Sequence, residues 1–137
     1  MKKNFFICGL TGWCMEILFT SLGALRDHNY KLIGRTSIWM FPIYGMAAVI
    51  DPIHRRLANL PALFRGGIYT VGIYTGEFIS GSLLKKMHMC PWDYSKAKTN
   101  IKGVIRLDYA PLWMIAGLTF EKILDLSNKN ATKNGKP

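Results

Sequence analysis

The chain alternates between long apolar runs and short charged segments. Between Lys3 and Arg26 the sequence has one charged residue, Glu16, and residues 37–50 have none. An α-helix needs roughly 20 mostly apolar residues to cross the hydrocarbon core of a bilayer. The pattern therefore predicts membrane-spanning helices.

Runs of sufficient length predict four spans, over residues 5–25, 37–57, 61–84 and 103–126. The second is apolar only as far as Ile50, so we expect its helix to continue through a kink at Pro52. Residues 127–137 are polar and predict a disordered tail. The predicted fold class is all-α, with a single polytopic bundle of four transmembrane helices over residues 1–126.

Composition alone would favour another class of protein. The chain has 137 residues, is 50% hydrophobic and has a formal net charge of +10, which is typical of a small basic nucleic-acid-binding domain. Its 18 lysines and arginines, however, divide equally between the two predicted membrane faces, where they flank the spans. We therefore expect the lipid bilayer as a partner and no nucleic acid, and the equal division leaves the membrane orientation open.

Other kinds of chemistry have no clear motif in this sequence. Two of its three cysteines, Cys8 and Cys14, lie in an apolar run, and an odd number does not indicate a disulfide framework. The three histidines lack the spacing of a metal site. The sequence shows neither a phosphate-binding loop nor a nucleophile elbow. We expect no metal and no cofactor.

One residue from each predicted span lies at a similar depth in the membrane. Counting from the side of the two longer loops places these residues about 12–15 Å inside. They are Glu16, Tyr44, Glu77 and Trp113. An acid at that depth costs about 2.5–3.5 kcal/mol to insert, so it should face the bundle interior or a water-filled cavity. Either the two glutamates are bonded to neighbouring aromatic side chains in a packed bundle, or they form a site, which is the interpretation that we favour.

Small residues recur at helical spacing in the first and third spans. Gly9 and Gly12 share a face with Glu16, and Gly72 and Gly76 form a G-x-x-x-G motif. Such residues let helices approach closely. We therefore expect helix contacts at these faces and a homodimer formed through them.

The loop between the third and fourth spans contains the string Cys90-Pro91-Trp92-Asp93-Tyr94-Ser95. Trp and Tyr are typical of a membrane interface, and Asp before Ser can close an Asx turn, so the string alone predicts an anchored turn. Other notable strings are Gly12-Trp13-Cys14-Met15-Glu16, Gly34-Arg35-Thr36-Ser37-Ile38-Trp39, Pro42-Ile43-Tyr44-Gly45, Glu77-Phe78 and Leu107-Asp108-Tyr109-Ala110. In order and spacing, this set closely resembles the transmembrane protein 229 family and its bacterial relatives, described as type IV ABC transporters of the CmpB kind.

The resemblance covers most of the chain, from about Gly12 to Glu121, and implies a small polytopic membrane protein with a role in transport. Family residues coincide with the predicted layer and with the loop above it. The implied substrate-binding residues are Glu16, Tyr44, Glu77, Trp92, Asp93, Tyr94, Ser95, Asp108 and Trp113. Since this sequence has no nucleotide-binding domain, ATP-driven transport would imply a separate ATPase subunit.

Three functions stay open at this stage. In the favoured one, the protein is a transport or binding subunit of the bacterial plasma membrane, in which Glu16 and Glu77 line a polar pocket for a small cationic or amphiphilic substrate, such as a lipid, or for a proton. In the second, it is an intramembrane enzyme acting on a lipid or isoprenoid, with the two glutamates as acid and base. Asp93 or Asp108 would then hold a lipid phosphate through a divalent cation. In the third, it is a membrane scaffold or assembly factor.

Overall fold

The computed structural model describes residues 1–135 and divides the chain into two compact units. The first unit, Met1–Met46, contains helix α1 (Lys2–Arg26) and the short helix α2 (Met40–Gly45). A 3₁₀ segment, Met46–Val49, leads into the second unit, which begins at Ala47. The helices of that unit are α3 (Ile50–Leu57), α4 (Ala62–Lys86) and α5 (Ala110–Asn134).

The segment between α4 and α5 is the one part of the described chain with strands. Strand β1 (Asn100–Ile101) pairs antiparallel with β2 (Ile105–Arg106), and Asn100 lies opposite Arg106. A 3₁₀ turn, Leu107–Tyr109, then leads into α5. With two residues in each strand, this hairpin is a loop feature, and the predicted all-α class is confirmed.

The second predicted span, residues 37–57, differs from a single kinked helix. It consists of α2, the 3₁₀ segment Met46–Val49 and α3. Pro52 has no N–H to donate to the carbonyl of Ala48, and its ring crowds that carbonyl. The regular α-helix is therefore interrupted about one turn before the proline, whereas the sequence analysis placed the kink at Pro52 itself.

The end of the chain also differs from the expected disordered tail. Helix α5 continues through the polar residues 127–134 and ends at Asn134. An i,i+4 ion pair joins Lys129 to Asp125 at 2.8 Å, and the Asn128 amide donates to Asp51 of α3 at 2.9 Å. These contacts give polar side chains partners along the helix, which composition alone did not reveal. Residues 136–137 of the predicted tail lie outside the described residues.

Among the described helices, α1 is the one that is long and apolar enough to cross a membrane by length and composition. Helix α4 has the same length, but it contains Arg65 and Glu77 and does not meet this criterion. Helix α5 has a polar second half. The four-span bundle therefore stays a prediction, which the hydropathy of the individual helices does not establish.

The distribution of side chains over α4 is the reverse of that in a soluble helix. Large apolar side chains such as Phe64 (66% exposed) and Val71 (67%) lie on its surface. Its buried residues include Gly66, Thr70 and Glu77. In water an apolar surface of this kind is unfavourable unless a partner or a membrane covers it. Helix α1 shows the same arrangement, with Leu18 65% exposed and Gly9 and Gly12 buried.

Glycines mark the places where helices meet within each unit. In the first unit, Gly12 packs against the Tyr44 ring so closely that it leaves no room for a β-carbon. In the second, a β-carbon at Gly117 of α5 would lie 2.6 Å from Cβ of Tyr69 on α4. By contrast, Gly72 and Gly76 face open space, with no atom within 4 Å of such a β-carbon.

Candidate functional site

Glu16 and Tyr44 lie in the first unit, on the face of α1 that carries the small residues. Glu16 is half-buried, and its Oε2 accepts a hydrogen bond of 2.7 Å from the Thr36 hydroxyl. Tyr44 packs on Gly12, one helical turn before Glu16. Tyr44 of α2 therefore packs on the same face of α1 that carries Glu16.

The segment before α2 forms a strap along this face of α1. The backbone N–H of Arg35 donates to the Thr20 hydroxyl at 2.8 Å, and the Trp13 indole donates to the carbonyl of Ser37 at 3.0 Å. The Trp13 ring also meets the Phe41 ring edge-on at 4.9 Å. These contacts explain the sequence string from Gly34 to Trp39 as a strap that positions Thr36 at Glu16.

Glu77 lies on the buried face of α4, in the second unit, and is 9% exposed. Its carboxyl group faces the indole of Trp113 on α5. The two groups are not aligned as a hydrogen bond, since both Glu77 Oε2 and Trp113 Nε1 are buried without a partner among residues 1–135. An acceptor and a donor, each costly to bury unpaired, thus lie on neighbouring helices without a hydrogen bond.

Three aromatic rings form a column that reaches from the loop between α4 and α5 to Trp113. The Tyr94 ring meets Tyr109 edge-on at 5.7 Å, and Tyr109 meets Trp113 edge-on at 6.3 Å. Tyr109 and Trp113 are four residues apart, so they lie one above the other at the start of α5. We call these three residues the aromatic column. It connects the loop string found in the sequence with Glu77.

Asp108 lies beside the column, just outside α5. Its two carboxylate oxygens share the Arg106 Nε–H, at 2.8 and 3.0 Å, and Oδ1 also accepts a hydrogen bond from the Thr99 hydroxyl at 2.8 Å. The Arg106 guanidinium and the Thr99 hydroxyl hold the pKa of Asp108 at about 2. The guanidinium also lies 4.5 Å from the centre of the Tyr109 ring. The predicted binding residue Asp108 is therefore already paired with a cation of this chain.

The loop that carries the string from Cys90 to Ser95, called the signature loop below, is held together by its own polar residues. Asp93 Oδ1 accepts the backbone N–H of Ser95 at 3.0 Å, which is the expected Asx turn. The Ser95 hydroxyl and N–H and the nearby Lys85 ammonium lower the pKa of Asp93. The Trp92 indole donates to the carbonyl of Val104 at 3.1 Å. Of the four residues from Trp92 to Ser95, Tyr94 is thus the one whose ring joins the aromatic column.

The hairpin turn explains a glycine in the same loop. Lys102 and Gly103 both have positive φ angles, 53° and 68°, a conformation that glycine adopts without strain. A β-carbon at Gly103 would lie 2.5 Å from the Ser95 hydroxyl. The carbonyl of Gly103 accepts the Tyr94 N–H at 2.9 Å, so this turn positions the first ring of the column.

Sequence reasoning missed a second polar cluster in the same unit. Glu121 of α5 accepts two hydrogen bonds from Arg65 of α4, at 3.0 and 2.9 Å, and a further one from the Tyr69 hydroxyl. Nδ1 of His54 on α3 lies 3.2 Å from the same carboxylate. We call these four residues the Glu121 cluster. Arg65 and Glu121 were visible as charges near the same end of adjacent spans, and their opposite signs could have indicated the pair.

The described residues offer no ready metal site. Within residues 1–135, no group of three or more His, Cys, Asp or Glu side chains is arranged to hold a metal ion. Asp93 and Asp108, the acids considered for a cation-bridged phosphate, instead have hydrogen-bonding partners in the loop. Among the buried side-chain nitrogen and oxygen atoms of residues 1–135, those without a hydrogen bond are Glu77 Oε2, Trp113 Nε1 and His54 Nδ1, and the last of these lies within ion-pair distance of Glu121.

Comparison with known proteins places nearly the whole chain in a described family. A family model described as "Putative ABC-transporter type IV" matches residues 3–136. No solved structure matches the chain.

Proposed function

The chain belongs to the ABC-transporter type IV family of the CmpB kind, and from this premise we propose that it is a multi-pass membrane protein that binds a small cationic or amphiphilic substrate for transport. The observation that carries the proposal is the unpartnered pair of polar groups at Glu77 and Trp113. A buried carboxylate without a cation or a donor is costly, and such groups in membrane helices commonly mark substrate or ion sites.

Membrane insertion as a multi-pass protein is supported by the surface of α4 as well as by α1. The exposed side of α4 is apolar and its buried side holds glycine, threonine and glutamate. This is the arrangement that lipid around a helix would favour, because small residues pack helices together and polar ones avoid the acyl chains. Spanning by α4 and the apolar part of α5 therefore belongs to the proposal.

Two partners complete this proposal. The family description as an ABC transporter fits an ATPase partner, and we propose that a separate ATPase subunit supplies ATP hydrolysis. A second copy of the chain would find a close-packing surface at Gly72 and Gly76, where a β-carbon would meet nothing within 4 Å. We expect the homodimer to form there.

The binding proposal is tested with methylammonium as a probe and protein reconstituted in lipid nanodiscs. Isothermal titration should show that Glu77→Gln weakens binding roughly 10- to 100-fold, the value of one hydrogen bond to a charged group. Asp125→Asn is the matched control, since it makes the same acid-to-amide change on α5 at an acid paired with Lys129. Glu16→Gln tests the first unit independently.

Unchanged methylammonium binding in both Glu77→Gln and Glu16→Gln would contradict the proposal. If the two variants instead altered only dimer formation, the scaffold alternative would replace it. The enzyme alternative predicts a different result, because a deletion strain would then accumulate one lipid precursor. Neither alternative has an observation of its own in the structure comparable to the unpartnered groups at Glu77 and Trp113.

A further inference from the structure

A cation of the chain itself lies over one ring of the aromatic column. The Arg106 guanidinium lies 4.5 Å from the centre of the Tyr109 ring, and its Nη1 lies 3.4 Å from the Tyr109 hydroxyl. A guanidinium at this distance over a tyrosine face makes a cation–π interaction. The Tyr109 ring is therefore positioned to bind a positive charge.

The column leads from this cation to an anionic group. Tyr109 meets Tyr94 on the loop side and Trp113 on the other side, both edge-on. Trp113 in turn faces Glu77, whose Oε2 has no partner among the described residues. Aromatic rings are the groups by which proteins recognise quaternary ammonium ions, and a nearby carboxyl group offers an opposite charge.

The arginine is held in a way that allows it to leave. Its ion-pair partner is Asp108, and the two side chains are 35% and 45% exposed, so water screens their attraction. Asp108 also accepts a hydrogen bond of 2.8 Å from the Thr99 hydroxyl, which does not involve the guanidinium. The backbone of Arg106 stays fixed in β2, where its carbonyl accepts the Tyr74 hydroxyl at 3.1 Å. Only the side chain has to rotate.

We propose that the aromatic column is a binding site for a small quaternary ammonium ion, and that the Arg106 side chain occupies this site until the ligand displaces it. This inference rests on the proposed function, since it names the class of cation that would reach Glu77. The Tyr109 ring binds the ligand in place of the Arg106 guanidinium. Tyr94 places the signature loop at the entrance.

The test uses tetramethylammonium, titrated into the full chain in nanodiscs. Arg106→Gln removes the competing cation and should bind tetramethylammonium about 2- to 5-fold more tightly than the wild type, as expected for one exposed cation–π contact. Arg106→Lys keeps a competing charge and should stay near the wild type. Tyr109→Leu should lose most of the binding, whereas Tyr109→Phe keeps the ring and should retain it.

A tighter complex in Arg106→Gln cannot result from misfolding, and circular dichroism checks that Tyr109→Leu is folded. Affinity unchanged or weakened in Arg106→Gln would overturn the inference, as would wild-type binding by folded Tyr109→Leu. Methylammonium separates this result from the proposed function. If methylammonium binding depends on Glu77 while no variant binds tetramethylammonium, the inference fails and the proposed function stands. If methylammonium binding is independent of both Glu77 and Glu16, the proposed function itself fails.

Discussion

Two glutamates on the same pair of helices are equally buried but differ in their surroundings. Glu77 and Glu121 are each 9% exposed. Glu121 is bound by Arg65 and Tyr69 and has His54 beside it, whereas Glu77 faces a single indole and leaves one oxygen unpaired. Arg65 and Glu77 are twelve residues apart, so the two sites are about 18 Å apart along α4. The difference separates an acid that joins helices from one that is available to a ligand.

The largest expected effect is at the Glu121 cluster. Arg65→Met leaves Glu121 buried without its guanidinium partner, and removing one member of a buried pair costs about 3–5 kcal/mol. We expect the free energy of unfolding, measured by titration with sodium dodecyl sulfate in micelles, to fall by that amount. The double variant Arg65→Met with Glu121→Leu removes both charges and should recover most of the loss. If Arg65→Met had the same free energy of unfolding as the wild type, the cluster would not be joining the helices.

A smaller loss of stability should follow when Tyr69 of the Glu121 cluster is displaced. A β-carbon at Gly117 would lie 2.6 Å from Cβ of Tyr69, which bonds Glu121. Overpacking of this kind costs about 1–3 kcal/mol, so Gly117→Ala should destabilise the protein in the same titration. Gly67→Ala on α4 is the matched control, since its new methyl group would meet no atom within 4 Å and the residue lies outside the proposed dimer surface. Equal losses in the two variants would contradict the close packing of Gly117 on Tyr69.

Glu77→Gln should affect stability least among the buried substitutions. The amide has the same shape as the carboxyl group, breaks no ion pair and is less costly to bury than a charge. We expect the free energy of unfolding to change by less than about 1 kcal/mol or to rise, in contrast to Arg65→Met. A loss as large as that of Arg65→Met would mean that Glu77 also has a structural role, and the contrast between the two acids would be lost.

The contrast also explains which features could be inferred from the sequence. Counting residues placed Glu77 and Trp113 at one depth, because helical rise is fixed, and the structure has them facing each other. The Glu121 cluster requires knowledge of which helix faces meet, and depth alone does not supply that. The role of Trp92, Asp93 and Ser95 in holding the loop depends on a hairpin of two-residue strands, which is too short to leave a periodic signal. The helix is interrupted before Pro52 because the proline affects the carbonyl of the residue four positions earlier. A prediction that used only the position of the proline therefore placed the kink too late in the chain.

The smallest expected effect lies in the loop beside the Glu77 site. The folded-state pKa of Asp108 is about 2, below its unfolded value of roughly 3.9. A depressed carboxyl pKa stabilises the folded loop above the unfolded value, and this stabilisation is lost as the pH falls through about 2. Asp93, also with a lowered pKa, acts in the same direction. The Trp92 indole N–H resonance, which reports its bond to Val104, should therefore stay constant from pH 6 to pH 4 and change only in stronger acid.

Asp108→Asn should reduce that acid transition while Asp125→Asn preserves it. A change already complete at pH 4 would show that Arg106 is not bound to Asp108 in solution, and would leave the guanidinium without the partner that keeps it over Tyr109.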